Sequence, residues 1–256
     1  MEENSILFSY NRRSVVRLPF RPTLLTRNTG LQAESILIPY RKGTKWGFCN
    51  IQKELVIPCQ YDAVRKFKNG IAFVSRHNKW GVITNNGNEL INCLYDAIEM
   101  NTETILSVKQ GGKWGYINTK GEIAVPCIYK QIGDFSDGLA RCLYNGHWGF
   151  VDMSGHDVIA CKYDMVNNFQ EQLAGVCKNN RWGIINNLGD VKAPFRYTFI
   201  GNFNNGKAEI AVNDRLGIIN KNFKVMLFSG YESIKPACKN AYSVHLNGYW
   251  TLINSE

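Results

Sequence analysis

KWGYINTKGEIAVPCIY, residues Lys113 to Tyr129, decides how this chain is read, because its Trp-Gly pair returns at one fixed distance. Trp-Gly stands at Trp46, Trp80, Trp114, Trp148 and Trp182, each 34 residues after the last, and the same step lands on Leu216 and Trp250. A gapless period through most of 256 residues marks an array in which each unit packs on its neighbours, so length does not count domains here. Tetratricopeptide helical repeats share this period, but a helical pair needs apolar spacing of three and four over about a dozen residues. Here Gly, Asn and Pro interrupt every apolar run sooner.

Outward from the Trp, the turns give the strand order. Before each Trp position lies a two-residue link: Gly43-Thr44, His77-Asn78, Gly111-Gly112, Asn145-Gly146, Asn179-Asn180, Asn213-Asp214 and Asn247-Gly248. Nearly all are types that tolerate positive φ, which a type I′ hairpin turn requires at both central positions. After each Trp-Gly come an apolar pair and a second turn, as in Asn118-Thr-Lys-Gly121, Asp152-Met-Ser-Gly155 and Asn186-Asn-Leu-Gly189. Asn or Asp opening a type I turn, with Gly at the left-handed position, joins a third strand such as Val56-Ile57-Pro58-Cys59 or Ala124-Val125-Pro126-Cys127. The unit is a three-stranded antiparallel meander closed by a Tyr-Asp step (Tyr61-Asp62, Tyr95-Asp96, Tyr163-Asp164) and a loop of the Phe-x-x-Gly kind, as in Phe67–Gly70.

Alternation places Ala72, Val74, Gly81 and Ile83 on one face of a unit and Trp80 with Val82 on the other. A small sheet that is apolar on both sides must be sandwiched, so the units stack. The Gly beside each Trp is expected to leave room for a bulky group from the next unit.

These residues resemble the bacterial WG repeat: a Trp-Gly pair, an apolar pair with Asn or Asp, a Gly turn, a Val-Ile-Pro strand and a Tyr-Asp step. The match runs from about Ile36 to Glu256. Departures are Leu216 for Trp, Thr251 for Gly, Lys53 and Phe223 at the turn Gly, and Lys130 and Thr198 for Asp. The resemblance implies a β-rich array of no known enzymatic activity that mediates interactions. The expected fold is all-β, about seven tandem units in a twisted open stack, with a closed seven-bladed β-propeller as the rival. Residues 36–256 form the repeat domain and residues 1–35 a basic N-terminal segment or degenerate half-repeat cap, in which Val16–Phe20 echoes a third strand.

The net charge is +9, and Met1 to Lys45 carries eight basic against three acidic residues. A basic balance raises nucleic acid or another acidic partner as a class and serves solubility equally. No stretch approaches the roughly 18 apolar residues of a membrane span, and the start lacks an export signal, so a soluble cytoplasmic protein with no membrane partner is expected. Eight scattered cysteines agree with free thiols in a reducing compartment.

Cys59, Cys93, Cys127 and Cys161 hold one place in successive units, without the close pairs of a metal site, and read as a ladder of small apolar groups. His77, His147, His156 and His245 share no register, and no phosphate loop, dinucleotide fingerprint or catalytic carboxylate pair occurs. No catalytic residue, metal or cofactor is therefore expected. The suggestive position precedes each Trp: Lys45, Lys79, Lys113, His147, Arg181 and Arg215. Its hairpin partners add Lys42, Arg76 and Lys178, and Arg41 adjoins them. Like charges facing across a hairpin are unfavourable. The row either leans on Trp and protects sheet edges or contacts phosphate or acidic protein.

Two functional readings stay open beside an enzyme. One is a non-catalytic interaction module, an accessory or adaptor subunit of a larger bacterial complex. The other is an accessory factor that contacts nucleic acid or docks on a nucleic-acid enzyme, such as a bacterial defence effector, through its basic edge. The degenerate end, with Ile210, Ile218, Ile219, Met226, Leu227 and Phe228, is expected to present an apolar surface that makes a homodimer.

Overall fold

The computed structural model describes residues 36–213, 215–228, 231–238 and 241–254. Among them the chain is strand and turn throughout, in seven antiparallel sheets taken in chain order. Sheet 1 is β1 (Ile38–Lys42), β2 (Lys45–Cys49) and β3 (Leu55–Tyr61). Sheet 2 is β4 (Ala63–Val64), β5 (Ile71–Arg76), β6 (Lys79–Thr84) and β7 (Glu89–Tyr95). Sheet 3 is β8 (Ala97–Met100), β9 (Ile105–Gln110), β10 (Lys113–Asn118) and β11 (Ile123–Tyr129). Sheet 4 is β12 (Gln131–Ser136), β13 (Leu139–Tyr144), β14 (His147–Asp152) and β15 (Asp157–Tyr163). Sheet 5 is β16 (Met165–Val166), β17 (Leu173–Lys178), β18 (Arg181–Asn186) and β19 (Val191–Tyr197). Sheet 6 is β20 (Phe199–Ile200), β21 (Lys207–Val212), β22 (Arg215–Asn220) and β23 (Val225–Phe228). Sheet 7 is β24 (Ser233–Cys238), β25 (Ala241–Leu246) and β26 (Tyr249–Asn254).

The expected meander is present in sheets 1 to 6, and the structure adds a leading strand to sheets 2 to 7, formed by the residues just after each Tyr-Asp step. The step itself is the crossing between sheets: Tyr61 ends β3, Ala63 begins β4, and Asp62 lies between. Segment 1–35, with its Val16–Phe20 echo, lies outside the described residues.

Both turn expectations hold. His77 and Asn78 have φ of 51° and 61°, and Asn179 and Asn180 of 52° and 59°, in the left-handed region that a type I′ turn needs. At the second turn Asn118 Oδ1 accepts from the backbone N–H groups of Lys120 and Glu122, each at 2.9 Å, while Gly121 donates to the Asn118 carbonyl. Lys53 and Phe223 take the turn position of Gly with φ of 66° and 59°.

The cores are the gaps between sheets. Phe48, Ile57 and Tyr61 of sheet 1 meet Ala72, Val74 and Ile83 of sheet 2, whose other face sends Phe73, Val82 and Ile91 against Ile98, Leu106 and Ile117 of sheet 3. The same packing continues through the remaining gaps, ending with Ile218 of sheet 6 against Ile234 and Val244 of sheet 7. Each fully buried Ile or Phe contributes about 1.5–3 kcal/mol over exposure. Among the described residues no cluster joins sheet 7 to sheet 1, so the array is a twisted open stack and not a closed propeller. No helix among them is long and apolar enough to cross a membrane.

The Trp-Gly glycine corrects its expectation. It faces its own unit, not the next: a Cβ on Gly115 would stand 2.4 Å from the Val125 carbonyl oxygen, and one on Gly81 would stand 2.4 Å from that of Ile91. The third strand bulges across this glycine, since Trp114 pairs with Tyr129 while Tyr116 pairs with Val125. Over the bare Cα the ladder cysteine reaches the first strand: the Cys93 thiol lies 3.7 Å from the Val74 carbonyl and Cys127 3.7 Å from that of Val108. The ladder thiols are half-buried donors to carbonyls, not simply small apolar fillers.

Candidate interaction rim

The β-hairpin turns at the Trp end of every sheet form one rim of the stack, and at four of the crossings between sheets a carboxylate binds the hairpin turn that follows. Asp62, at the crossing from sheet 1 to sheet 2, accepts from Lys45 Nζ of sheet 1 at 2.5 Å and from the His77 N–H of the sheet 2 turn at 2.7 Å. Asp96 repeats this with Lys79 Nζ and, at 3.4 Å, the Gly112 N–H of the sheet 3 turn. Asp164 accepts from Asn179 N–H at 2.7 Å, and Glu232 from Asn247 N–H at 3.2 Å and His245 Nδ1 at 2.7 Å. The Lys45 ammonium, then the His77 N–H, holds Asp62 below the usual carboxylate range; Lys79, then Gly112 N–H, does the same for Asp96. Asp62 and Asp96 are thus clasps between successive sheets, while Asp164 and Glu232 hold the hairpin of the sheet they lead into.

Two crossings are different. Trp114 pairs with Tyr129 in the register of Trp46 with Tyr61, and Trp182 pairs with Tyr197 likewise. Lys113 and Lys130 therefore take the places of Lys45 and Asp62, and Arg181 and Thr198 take them again in sheet 5. At the first an ammonium stands in the position of the carboxylate, and at the second a hydroxyl does.

The structure places the basic row accordingly. Lys42 faces Lys45, Arg76 faces Lys79 and Lys178 faces Arg181 across their hairpins, as expected. Lys45 and Lys79 are engaged in clasps. Arg76 reaches Glu89 at 2.5 Å and lies over the Tyr61 ring, 4.6 Å from its centre. Arg41 lies 5.5 Å over Trp46, and Arg65, Lys109, Arg141 and Lys235 cover other Trp faces in the same way. Lys42, Lys113, Lys130, Lys178, Arg181 and Arg215 are exposed and their side chains make no ion pair or hydrogen bond among the described residues. The row is thus not one continuous edge but paired units interrupted by unpaired ones. Thr198 and the clasp acids escape a search for basic residues, and Lys130 stands in the sequence only as a departure from the repeat, outside the row that precedes each Trp. The readable signal is a cation followed 17 residues later by Asp, kept at Lys45/Asp62 and Lys79/Asp96 and lost at Lys113/Lys130.

The apolar end is also corrected. Ile210, Ile218 and Ile219 are buried between sheets and contribute nothing to an exposed surface. Met226 is 38% exposed on the outer strand of sheet 6, which Leu227 and Phe228 share.

At the opposite strand ends, two open clefts of about 710 and 630 Å³ share Asp137 and Glu171. Both carboxylates hold turns together: Asp137 accepts from Gln172 N–H at 2.7 Å, and Glu171 from Gly206 N–H at 3.0 Å and Lys221 Nζ at 2.9 Å. No group of three or more His, Cys, Asp or Glu able to hold a metal ion occurs among the described residues.

The family described as WG containing repeat matches five consecutive segments, residues 46–80, 80–114, 114–146, 148–182 and 182–215, more than half of the chain. The chain is a WG-repeat protein. Comparison with curated proteins gave no match. Among solved structures the chain is similar to Hsv2 of Kluyveromyces lactis, at 9% identity over 87% of this chain and 95% of that one, with a TM-score of 0.36. It is also similar to a eukaryotic initiation factor, at 9% identity over 83% and 79% with a TM-score of 0.40. PorZ of Porphyromonas gingivalis matches at 12% identity over 73% of this chain and 32% of that one, with a TM-score of 0.34. At these values the likenesses carry no argument about function. The WG-repeat assignment and the sheet array together make this chain a β-repeat module.

Proposed function

We propose that this WG-repeat protein is a non-catalytic interaction module, an accessory or adaptor subunit that engages a partner protein along its hairpin rim. The observation that carries this reading is the division of labour in each unit. The buried apolar residues serve stacking in the gaps between sheets, while the rim repeats from unit to unit and leaves exposed cations that stacking does not use. Repeat arrays present surfaces of this extended kind. Several carboxylates and histidines serve turns and clasps, as with Asp152 and His156 at 3.0 Å and Glu232 and His245 at 2.7 Å.

Nucleic-acid contact is the second reading, favoured by the unpaired Lys113, Lys130, Lys178 and Arg181. Affinity capture from the source cell, with and without nuclease, separates the two. A protein retained after nuclease treatment supports the first reading, and loss of every partner on nuclease treatment overturns it in favour of the second.

A further inference from the structure

The rim's charge runs in a pattern that neither reading specifies. Ordered along the stack, the crossing positions are Asp62, Asp96, Lys130, Asp164, Thr198 and Glu232, one at each gap between successive sheets. Where the residue is acidic, its carboxylate binds the N–H of the following hairpin turn, and in the first two gaps it also binds the cation of the preceding hairpin. At Lys130 and Thr198 the preceding cations, Lys113 and Arg181, keep their place in the register and the chain itself brings no carboxylate to them. Lys178 lies opposite Arg181 across its hairpin, which doubles the charge there as Lys130 does beside Lys113. Two cationic positions therefore flank the acidic residue Asp164.

We propose that an extended acidic segment of a partner protein binds along this rim, its carboxylates occupying the clasp positions beside Lys113–Lys130 and Lys178–Arg181. This rests on the interaction-module reading and specifies its ligand. The clasps elsewhere show what these positions bind: a carboxylate held by a side-chain cation and a turn N–H, a charge-assisted arrangement stronger than a neutral one. The two positions lie two sheet spacings apart, about 20 Å at the roughly 10 Å between packed sheets, which an extended chain spans in about six residues. Asp164 between them repels a continuous polyanion such as a nucleic-acid strand and accepts a segment whose acids are separate, best with a basic residue midway.

The test uses the full chain and a labelled peptide carrying Glu, two neutral residues, Lys, two neutral residues and Glu, with anisotropy read at low and high salt. Lys130→Asp and Thr198→Asp restore the chain's own clasp carboxylate, so both variants should fold at least as well as the wild type by urea midpoint. Each should bind the peptide about tenfold or more weakly, because one anchoring contact is filled from within. A peptide with only one Glu should bind about as weakly to the wild type as the intact peptide does to the variants. Unchanged affinity in both folded variants, or no binding of the peptide to the wild type, overturns the proposal. Tighter binding of a single-stranded oligonucleotide than of the peptide, lost in Lys130→Asp, overturns it in favour of nucleic acid. A partner captured equally by wild type and Lys130→Asp would overturn this ligand assignment and leave the interaction-module reading standing.

Discussion

Gly115→Ala is the sharpest test of how a unit is built. The added Cβ would stand 2.4 Å from the Val125 oxygen, 2.7 Å from the Pro126 carbonyl carbon and 2.8 Å from the Cys127 nitrogen, all backbone atoms. Bringing the carbonyl oxygen back to ordinary carbon–oxygen contact of about 3.3 Å moves β11 by roughly 0.9 Å, enough to spoil one or two ladder hydrogen bonds. Lost bonds at about 1 kcal/mol each, with overpacking of about 1–3 kcal/mol, outweigh the gain of about 0.5–1 kcal/mol from replacing Gly in extended backbone, leaving a net loss of about 1–4 kcal/mol. The internal control is Gly183→Ala at the same motif position. Its Cβ would meet the Ala193 backbone oxygen at 2.9 Å, which must give by roughly 0.4 Å where Val125 must give by roughly 0.9 Å, and the Phe195 ring at 3.2 Å, which can turn aside, so a smaller loss of about 1 kcal/mol is expected there. Units of an array can open separately. Native-state hydrogen exchange over 113–129 and 181–197 therefore reads each loss locally, beside urea unfolding of the whole. A Gly115→Ala loss below about 1 kcal/mol, or no larger than that of Gly183→Ala, would refute the bulge as the reason for the glycine.

The clasps make the array acid-sensitive: Asp62 and Asp96 titrate lower folded than unfolded, so their contribution is present above the unfolded value near pH 4 and fades as pH falls through the folded ones. The melting temperature should drop over that window, and Asp62→Asn with Asp96→Asn should flatten the drop. At the other end, burial raises the Cys93 and Cys127 thiols and the Tyr95 hydroxyl, so stability is full below about pH 8.5 and declines as pH rises through their folded values. Urea midpoints measured from neutral to alkaline pH check this, and the native thiols should label slowly until the chain unfolds. The two turn exceptions should respond with opposite signs in the same urea assay. Lys53→Gly relieves a positive φ on an exposed residue and should stabilise by about 0.5–1 kcal/mol, whereas Phe223→Gly also removes a ring packed on the sheet 5–sheet 6 core and should destabilise by about 1–3 kcal/mol.

The period, strand order and both turn types were legible in the sequence because each depends on local chemistry: positive φ at Asn and Gly, and alternation along short strands. His77-Asn78 turns as its residue types require, and Val74 and Val82 bury opposite faces as their spacing requires. What the tertiary structure alone decided concerns groups that meet across gaps. The leading strands Ala63–Val64 and Phe199–Ile200 are too short to announce themselves and exist because the next sheet offers an edge to pair with. The Trp-Gly glycine is small because the third strand of its own unit bulges over it, and a bulge is a matter of register between strands that no single run reveals. Openness of the stack, too, turns on whether the first and last sheets share a core, and a repeat pattern is identical whether or not they do. The rim divides the same way. Its cations stand out one by one in the sequence, but which are paired depends on an Asp carried to them at the crossing into the next sheet, and only the fold brings Lys45 and Asp62 together while leaving Lys113 beside Lys130.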